Sequence, residues 1–140
     1  MLLPIEQYIE VDDFFYQKDE IVAPHSSLWG DFNFSLNGIL EYEIEQQIYL
    51  SPPNYGLWLP PQTAHTSIAL DEQIIHYVCI RIHPSLCGDF ASCSKTLSIR
   101  PFLRHLVHEV LEQKQKGSAT TDYRHLLQVL VDQLKAAPAY

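Results

Sequence analysis

The sequence predicts a mainly β chain: a closed or sandwiched all-β unit over residues 1–98, followed by an antiparallel pair of helices over residues 99–140. Three observations predict it. Apolar and polar residues alternate in short runs as far as His83, the period of half-buried strands. Turn-forming pairs separate the runs at the close spacing of an all-β unit. Beyond residue 98 the apolar spacing lengthens to that of a helix. Charge changes at the same place, with three Lys/Arg against thirteen Asp/Glu before it and six against four after it.

Each element has its own residue-level reason. In "FNFSL", Phe32, Phe34 and Leu36 share one face, and Asn33 and Ser35 the other. In "ILEYEIE", Leu40, Tyr42 and Ile44 alternate with glutamates, so one face is buried and one wet. Asn37-Gly38 lies between these runs and is a strong hairpin signal, so the two strands are expected to pair with each other. "YGLWLP", "HTSIAL" and "QIIHYVCIRIH" read as further strands, separated by Pro52-Pro53-Asn54, Pro60-Pro61 and Asp71-Glu72. Pro84 ends the last of them, and "SLCGDFASCSK" reads as a loop.

The helical part begins with Ser98 as the expected N-cap and Pro101 in the first turn. Leu103, Leu106, Val107, Val110 and Leu111 form its apolar stripe, and Gly117-Ser118 breaks it. A second helix from about Thr121 aligns Tyr123, Leu126, Leu127, Leu130 and Leu134, and fades at Ala136-Ala137-Pro138. Phe102 and Val131 lie off these stripes and are expected to remain exposed, as an apolar surface suited to pairing two copies.

Composition bounds the function. At 140 residues and 46% apolar content, the chain can build one core. A net charge of −8 with no basic patch counts against unaided nucleic-acid binding. Cys79, Cys87 and Cys93 have no framework spacing, which suits a reducing compartment, though Cys87 and Cys93 could pair. The N-terminus does not read as a signal peptide and no run is long enough to span a membrane, so a cytoplasmic protein with no membrane partner is expected. No nucleophile elbow, phosphate loop or zinc cysteine pair occurs.

Two short patterns carry chemistry. His25-x-Ser27, Asp31 and Gly38 are followed by Pro60-x-Gln62-x-x-His65. This order resembles the two motifs of the cupin superfamily, with Ser27 in place of the second histidine, Asp31 as a shortened acid, Gln62 in place of a glycine and Ala69 in place of an asparagine. The resemblance implies a cupin-like (double-stranded β-helix, or jelly-roll) barrel into which His25, Asp31 and His65 converge. Those three could form an open two-histidine, one-carboxylate metal site suited to iron or manganese. The absent imidazole at Ser27 and the shorter acid favour another reading, in which they are polar groups orienting a ligand, with no metal and no cofactor.

A narrower resemblance covers nearly the whole chain. Trp29-Gly30-Asp31-Phe32, the run Ser51 to Pro61 ("SPPNYGLWLPP"), His65 and the tail "LSIRPFLRHLVHEVL … HLLQVLVDQLKAAPAY" are similar to the N-terminal effector domain of AraC-type transcriptional regulators. That resemblance implies a small-molecule effector held in the barrel, a helix pair that forms a homodimer, and DNA contacted only through a further helix-turn-helix domain. The chain then reads as a piece cut at a domain boundary, since "AAPAY" resembles the start of a linker; a natural stand-alone sensor is the alternative.

The expected pocket takes flat walls from Phe32, Phe34, Tyr42, Trp58 and Tyr77, and polar anchors from His25, Asp31, His65 and Arg81. His105 and His108, three residues apart on a helix, could hold a metal, but two ligands on an exposed helix read rather as a solvated face. Two functions follow: the non-enzymatic sensing and dimerisation domain of an AraC-like regulator, or a small metal-dependent cupin enzyme, an oxygenase or isomerase.

Overall fold

The computed structural model describes residues 4–25, 28–117 and 120–139, and the side chains of all of these except 22–25. A 3-10 turn at Ile5–Gln7 precedes β1 (Ile9–Tyr16), β2 (Ile21–His25), β3 (Gly30–Ser35), β4 (Leu40–Ile44), β5 (Gln47–Ser51), β6 (Tyr55–Leu59), β7 (His65–Ala69) and β8 (Ile75–Ile82). The short α1 (Pro84–Cys87), then β9 (Lys95–Ser98), α2 (Pro101–Lys116) and α3 (Thr121–Ala136) complete the described chain.

The strands form two antiparallel sheets, ordered β1-β8-β3-β6-β9 and β2-β7-β4-β5. The five-stranded sheet is buried on both faces. One face meets the other sheet through Leu57, Leu59, Ile75 and Tyr77, with Leu40, Tyr42 and Ile44 opposite. The other face carries Phe32, Phe34, Trp58, Val78 and Ile80 into a second core with α2 and α3. Strand β3 lies in the middle of this sheet, and all six of its residues are buried.

Asn37-Gly38 does not make a hairpin. Strand β3 pairs with β6 and β8, whereas β4 pairs with β5 and β7, so the turn carries the chain from one sheet to the other. Gly38 has the positive φ of 73° that the motif foretells, but Asn37 does not share it. Asn37 instead receives the backbone N–H of His76 on Oδ1 at 2.8 Å and donates from Nδ2 to the Ile74 carbonyl at 2.9 Å. A side chain bound in this way is a corner bracket, and a strand buried on both faces takes its neighbours from elsewhere. The two-residue hairpin lies at Glu45-Gln46, between β4 and β5, where both residues have positive φ.

The helical stripes match expectation over Leu103, Leu106, Val107, Val110, Tyr123, Leu127, Leu130 and Leu134, while Leu111 and Leu126 are only half-buried. Val131 departs from expectation: it is 2% exposed, while Phe102 is 54% exposed. Each helix lies against both the sheet and its partner helix, so its buried arc is wider than a single stripe. Ser98 is not the cap of α2. It belongs to β9, and its N–H bonds the Pro138 carbonyl at 2.9 Å, leaving Arg100 in the cap position. The 85–95 segment, expected to be loop throughout, includes most of α1 and the first residue of β9. Thr120 caps α3 by accepting the Tyr123 N–H at 3.1 Å.

Polar clamps fix the helices to the strands. Arg104 donates to the carbonyls of Pro53 and Leu36 at 2.6 and 2.5 Å, gripping two turns at once. Lys114 reaches the Val11 carbonyl at 2.6 Å and Asp12, and Arg124 pairs with Glu6 through Nε and Nη2. All three cysteines are free thiols, so Cys87 and Cys93 do not pair. No described helix is long and apolar enough to cross a membrane.

Candidate functional site

Alternation along three strands builds a hollow between the sheets. On β8, Tyr77, Cys79 and Arg81 point inward; on β1, Phe14 and Tyr16 do; on β3, Asn33 does. Ser67 of β7 borders it from the facing sheet, and its volume is about 130 Å³. The Phe14 and Tyr16 rings lie 6.4 and 5.6 Å from that of Tyr77, forming an aromatic wall.

The polar groups here are unevenly satisfied. The Arg81 Nε lies 3.8 Å from Asp31 Oδ1, and the two residues are cross-strand neighbours. The Asp31 side chain is 4% exposed and that of Arg81 46%, so the guanidinium bridges a buried carboxylate and the solvent. Asn33 Oδ1 and Tyr42 Oη are buried with no hydrogen-bond partner among the described residues. Burial pushes both Tyr42 and Tyr77 above the ordinary phenol range; the neighbouring Tyr77 hydroxyl offsets part of this for Tyr42, close by but outside full hydrogen-bond geometry. Burial, and then the Asp31 charge, push the Cys79 thiol up to about 12 against the pull of Arg81, so it stays protonated and inert at neutral pH.

The unsatisfied hydroxyl yields a stability test. Tyr42→Phe is expected to leave the unfolding free energy unchanged or to raise it by up to about 1 kcal/mol, because it removes a buried polar group that has no partner. Urea denaturation measures this, and a loss of about 1 kcal/mol would instead reveal a strong bond from that hydroxyl.

The expected pocket residues are divided by the sheet. Asp31, Tyr42 and Tyr77 face the inter-sheet space, as does His65, which is 3% exposed with its Nδ1 3.2 Å from the Thr63 carbonyl. Phe32, Phe34 and Trp58 do not line it. They pack on the opposite face of the same sheet, against the helices, where Phe32 is the register partner of both Trp58 and Ile80. Asp31 and Phe32 are adjacent on one strand, so they cannot share a face. The backbone of His25 lies opposite His65 on β2, while its side chain and Ser27 lie outside the described residues.

Phe14, Tyr16, Asn33 and Ser67 were not among the expected site residues. The usable signal for Asn33 is a polar residue between two phenylalanines on a strand with no wet face; for Phe14 and Tyr16 it is their i, i+2 spacing, which means little until β1 is seen to pair with β8.

Of the cupin metal set, the structure describes the side chains of Asp31 and His65 but not that of His25. Arg81 already places a positive charge beside the Asp31 carboxylate, where a divalent ion would be repelled. Among the described residues, no three His, Cys, Asp or Glu side chains are grouped to hold a metal ion.

No protein-family model matches the chain. It is 27% identical over 121 residues, 86% of its length, to the HTH-type transcriptional regulator NimR of Escherichia coli, of which the match spans 43%. The chain therefore corresponds to less than half of that regulator. Its fold is similar to that of ToxT from Vibrio cholerae, with a TM-score of 0.70 to an apo variant at 7% identity, covering 92% of this chain and 56% of ToxT. A ToxT structure bound to (E)-4-(8-methylnaphthalen-1-yl)but-3-enoic acid gives 0.66 at 10% identity, covering 92% and 54%. A cupin superfamily protein from Desulfitobacterium hafniense matches over 54% of this chain and 68% of its own, at a TM-score of 0.50 and 14% identity. A two-sheet β unit closed by a helix pair thus shares its fold with the solved ToxT and cupin structures, and its sequence is similar to part of a helix-turn-helix transcriptional regulator.

Proposed function

We propose that the chain is the effector-sensing and dimerisation part of an AraC-like transcriptional regulator, with residues 1–98 binding a small molecule and residues 99–140 carrying the response. It performs no catalysis, and DNA is contacted by another part of the parent protein. The hollow between the sheets carries this reading: aromatic walls and a few polar groups are the composition of a small-ligand site. The acidic balance of the chain agrees, since it supplies no basic face for phosphates.

The route from site to helices runs through β1. Phe14 and Tyr16 on its inner face line the hollow, while Val11 packs into the helix core and its carbonyl accepts from Lys114 of α2. A ligand that displaces β1 therefore acts on the helix pair, provided that it binds two arrangements with different affinity. Phe102 and Val129, exposed on α2 and α3, offer apolar surface for a homodimer.

A thermal-shift screen of sugars, amino acids and aromatic acids tests this reading. A hit is expected to raise the melting temperature of the chain and to lose that effect in Tyr77→Ala. Hits indifferent to Tyr77, or stoichiometric metal bound through His65 that supports turnover, would overturn it in favour of another site or of the cupin enzyme.

A further inference from the structure

We infer that the molecule held between the sheets is a neutral, single-ring heterocycle that presents an N–H to Asn33 and turns an acceptor toward the hydroxyl of Tyr77. This rests on the sensing reading above and narrows it to a ligand class.

The size of the hollow suits one ring. The hollow measures about 130 Å³, and an apolar cavity of about 150 Å³ holds one benzene. The walls favour a flat ring over a sugar or an aliphatic chain, since Phe14, Tyr16 and Tyr77 offer ring faces and edges at stacking distances.

Charge selects against an ion. Arg81 is already matched by Asp31 across the strands. The remaining titratable groups facing the hollow, Tyr16, Tyr77 and Cys79, are all held neutral by burial, which keeps each proton in place. A charged ligand would thus be desolvated with no counter-charge of its own.

Hydrogen bonding supplies the last constraint. Asn33 is 1% exposed and its Oδ1 has no partner among the described residues, so it calls for a donor. Tyr77 lines the hollow, and its hydroxyl, close to that of Tyr42 but outside full hydrogen-bond geometry, is placed to donate to an acceptor there. An N–H beside a C=O on one ring meets both needs, and it satisfies the asparagine amide in either orientation.

The experiment titrates the 140-residue chain with 2-pyridone and follows it by calorimetry and NMR chemical-shift mapping. N-methyl-2-pyridone removes the donor, 2-quinolone adds a ring, and benzoate adds a negative charge. Saturable 2-pyridone binding that shifts Tyr77 and Arg81 signals is expected, with the three comparison compounds at least about tenfold weaker. Asn33→Leu is expected to erase the preference for 2-pyridone over its N-methyl form; should that variant not fold, the comparison on the unaltered chain decides. Equal or tighter binding of any comparison compound, or no 2-pyridone binding, would overturn the inference. In that event, another ligand from the broad screen that shifts the same residues would leave the sensing reading standing, and a silent screen would end both.

Discussion

Replacing Trp58 by alanine is expected to lower the unfolding free energy by about 3–5 kcal/mol, the range for removing a large buried aromatic side chain. The indole is 1% exposed, stacks on Phe90 with ring centroids 4.7 Å apart, and donates from Nε1 to the Ala91 carbonyl at 2.8 Å. It thus ties the segment after α1 to the outer face of the five-stranded sheet. Deleting it opens a void in the helix-facing core and leaves a carbonyl without its donor. Urea denaturation measures the loss, and Trp58→Phe should cost less, since it retains most of the ring contact. Because Trp58 lies on the far side of the sheet from the hollow, the folded Trp58→Ala fraction should keep its affinity for any ligand shifting Tyr77. A loss below about 1 kcal/mol, or selective loss of ligand affinity, would contradict this placement.

Gly30→Ala is expected to be the next most damaging change, by about 2–3 kcal/mol from overpacking. A Cβ there would lie 2.3 Å from Trp58 Cη2 and 2.9 Å from Cys87 Sγ, against a rigid ring with little room to move. Both crowding indole atoms in range, Cη2 and Cζ3, belong to the six-membered ring. Trp58→Phe removes this part of the indole, so the double variant should be less destabilised than the two single losses added together, by about 1 kcal/mol or more. Strict additivity in denaturation would show that Gly30 does not meet the indole.

These two residues show what strand alternation can and cannot reveal. The period-two pattern of "FNFSL" correctly separates Phe32 and Phe34 from Asn33, because side chains on a strand alternate by geometry. It does not say which face meets a ligand. A pocket rich in aromatics was a reasonable expectation, yet aromatic residues fill cores at least as readily, and here the phenylalanines and Trp58 lie beneath helices. On β4 the glutamates mark the wet face and so turn Tyr42 toward the facing sheet, and on β8 pairing with β1 brings Tyr77 against Phe14 and Tyr16.

Turns were legible as turns but not as connections. Asn37-Gly38 bends the chain as its composition requires, and Gly38 takes up the positive φ. Whether such a bend returns a strand to its neighbour or sends it to another sheet depends on distant partners, which for β3 lie 24 to 52 residues away in sequence. The hairpin at Glu45-Gln46 carries no turn signature, and its positive φ values are imposed by the pairing of Ile44 with Gln47.

By itself, the sequence determined a strand-rich unit followed by two amphipathic helices, the inward faces of β4 and of both helices, and the family resemblance carried by motif order, because hydrophobic period and turn chemistry are local properties. Only the tertiary structure decided which sheet each strand joins, that one sheet is covered on both sides, and that Asn33, Phe14 and Tyr16 meet Tyr77 in a hollow. Those outcomes depend on long-range pairing, in which a residue's surroundings come from segments that its neighbours in the chain do not encode.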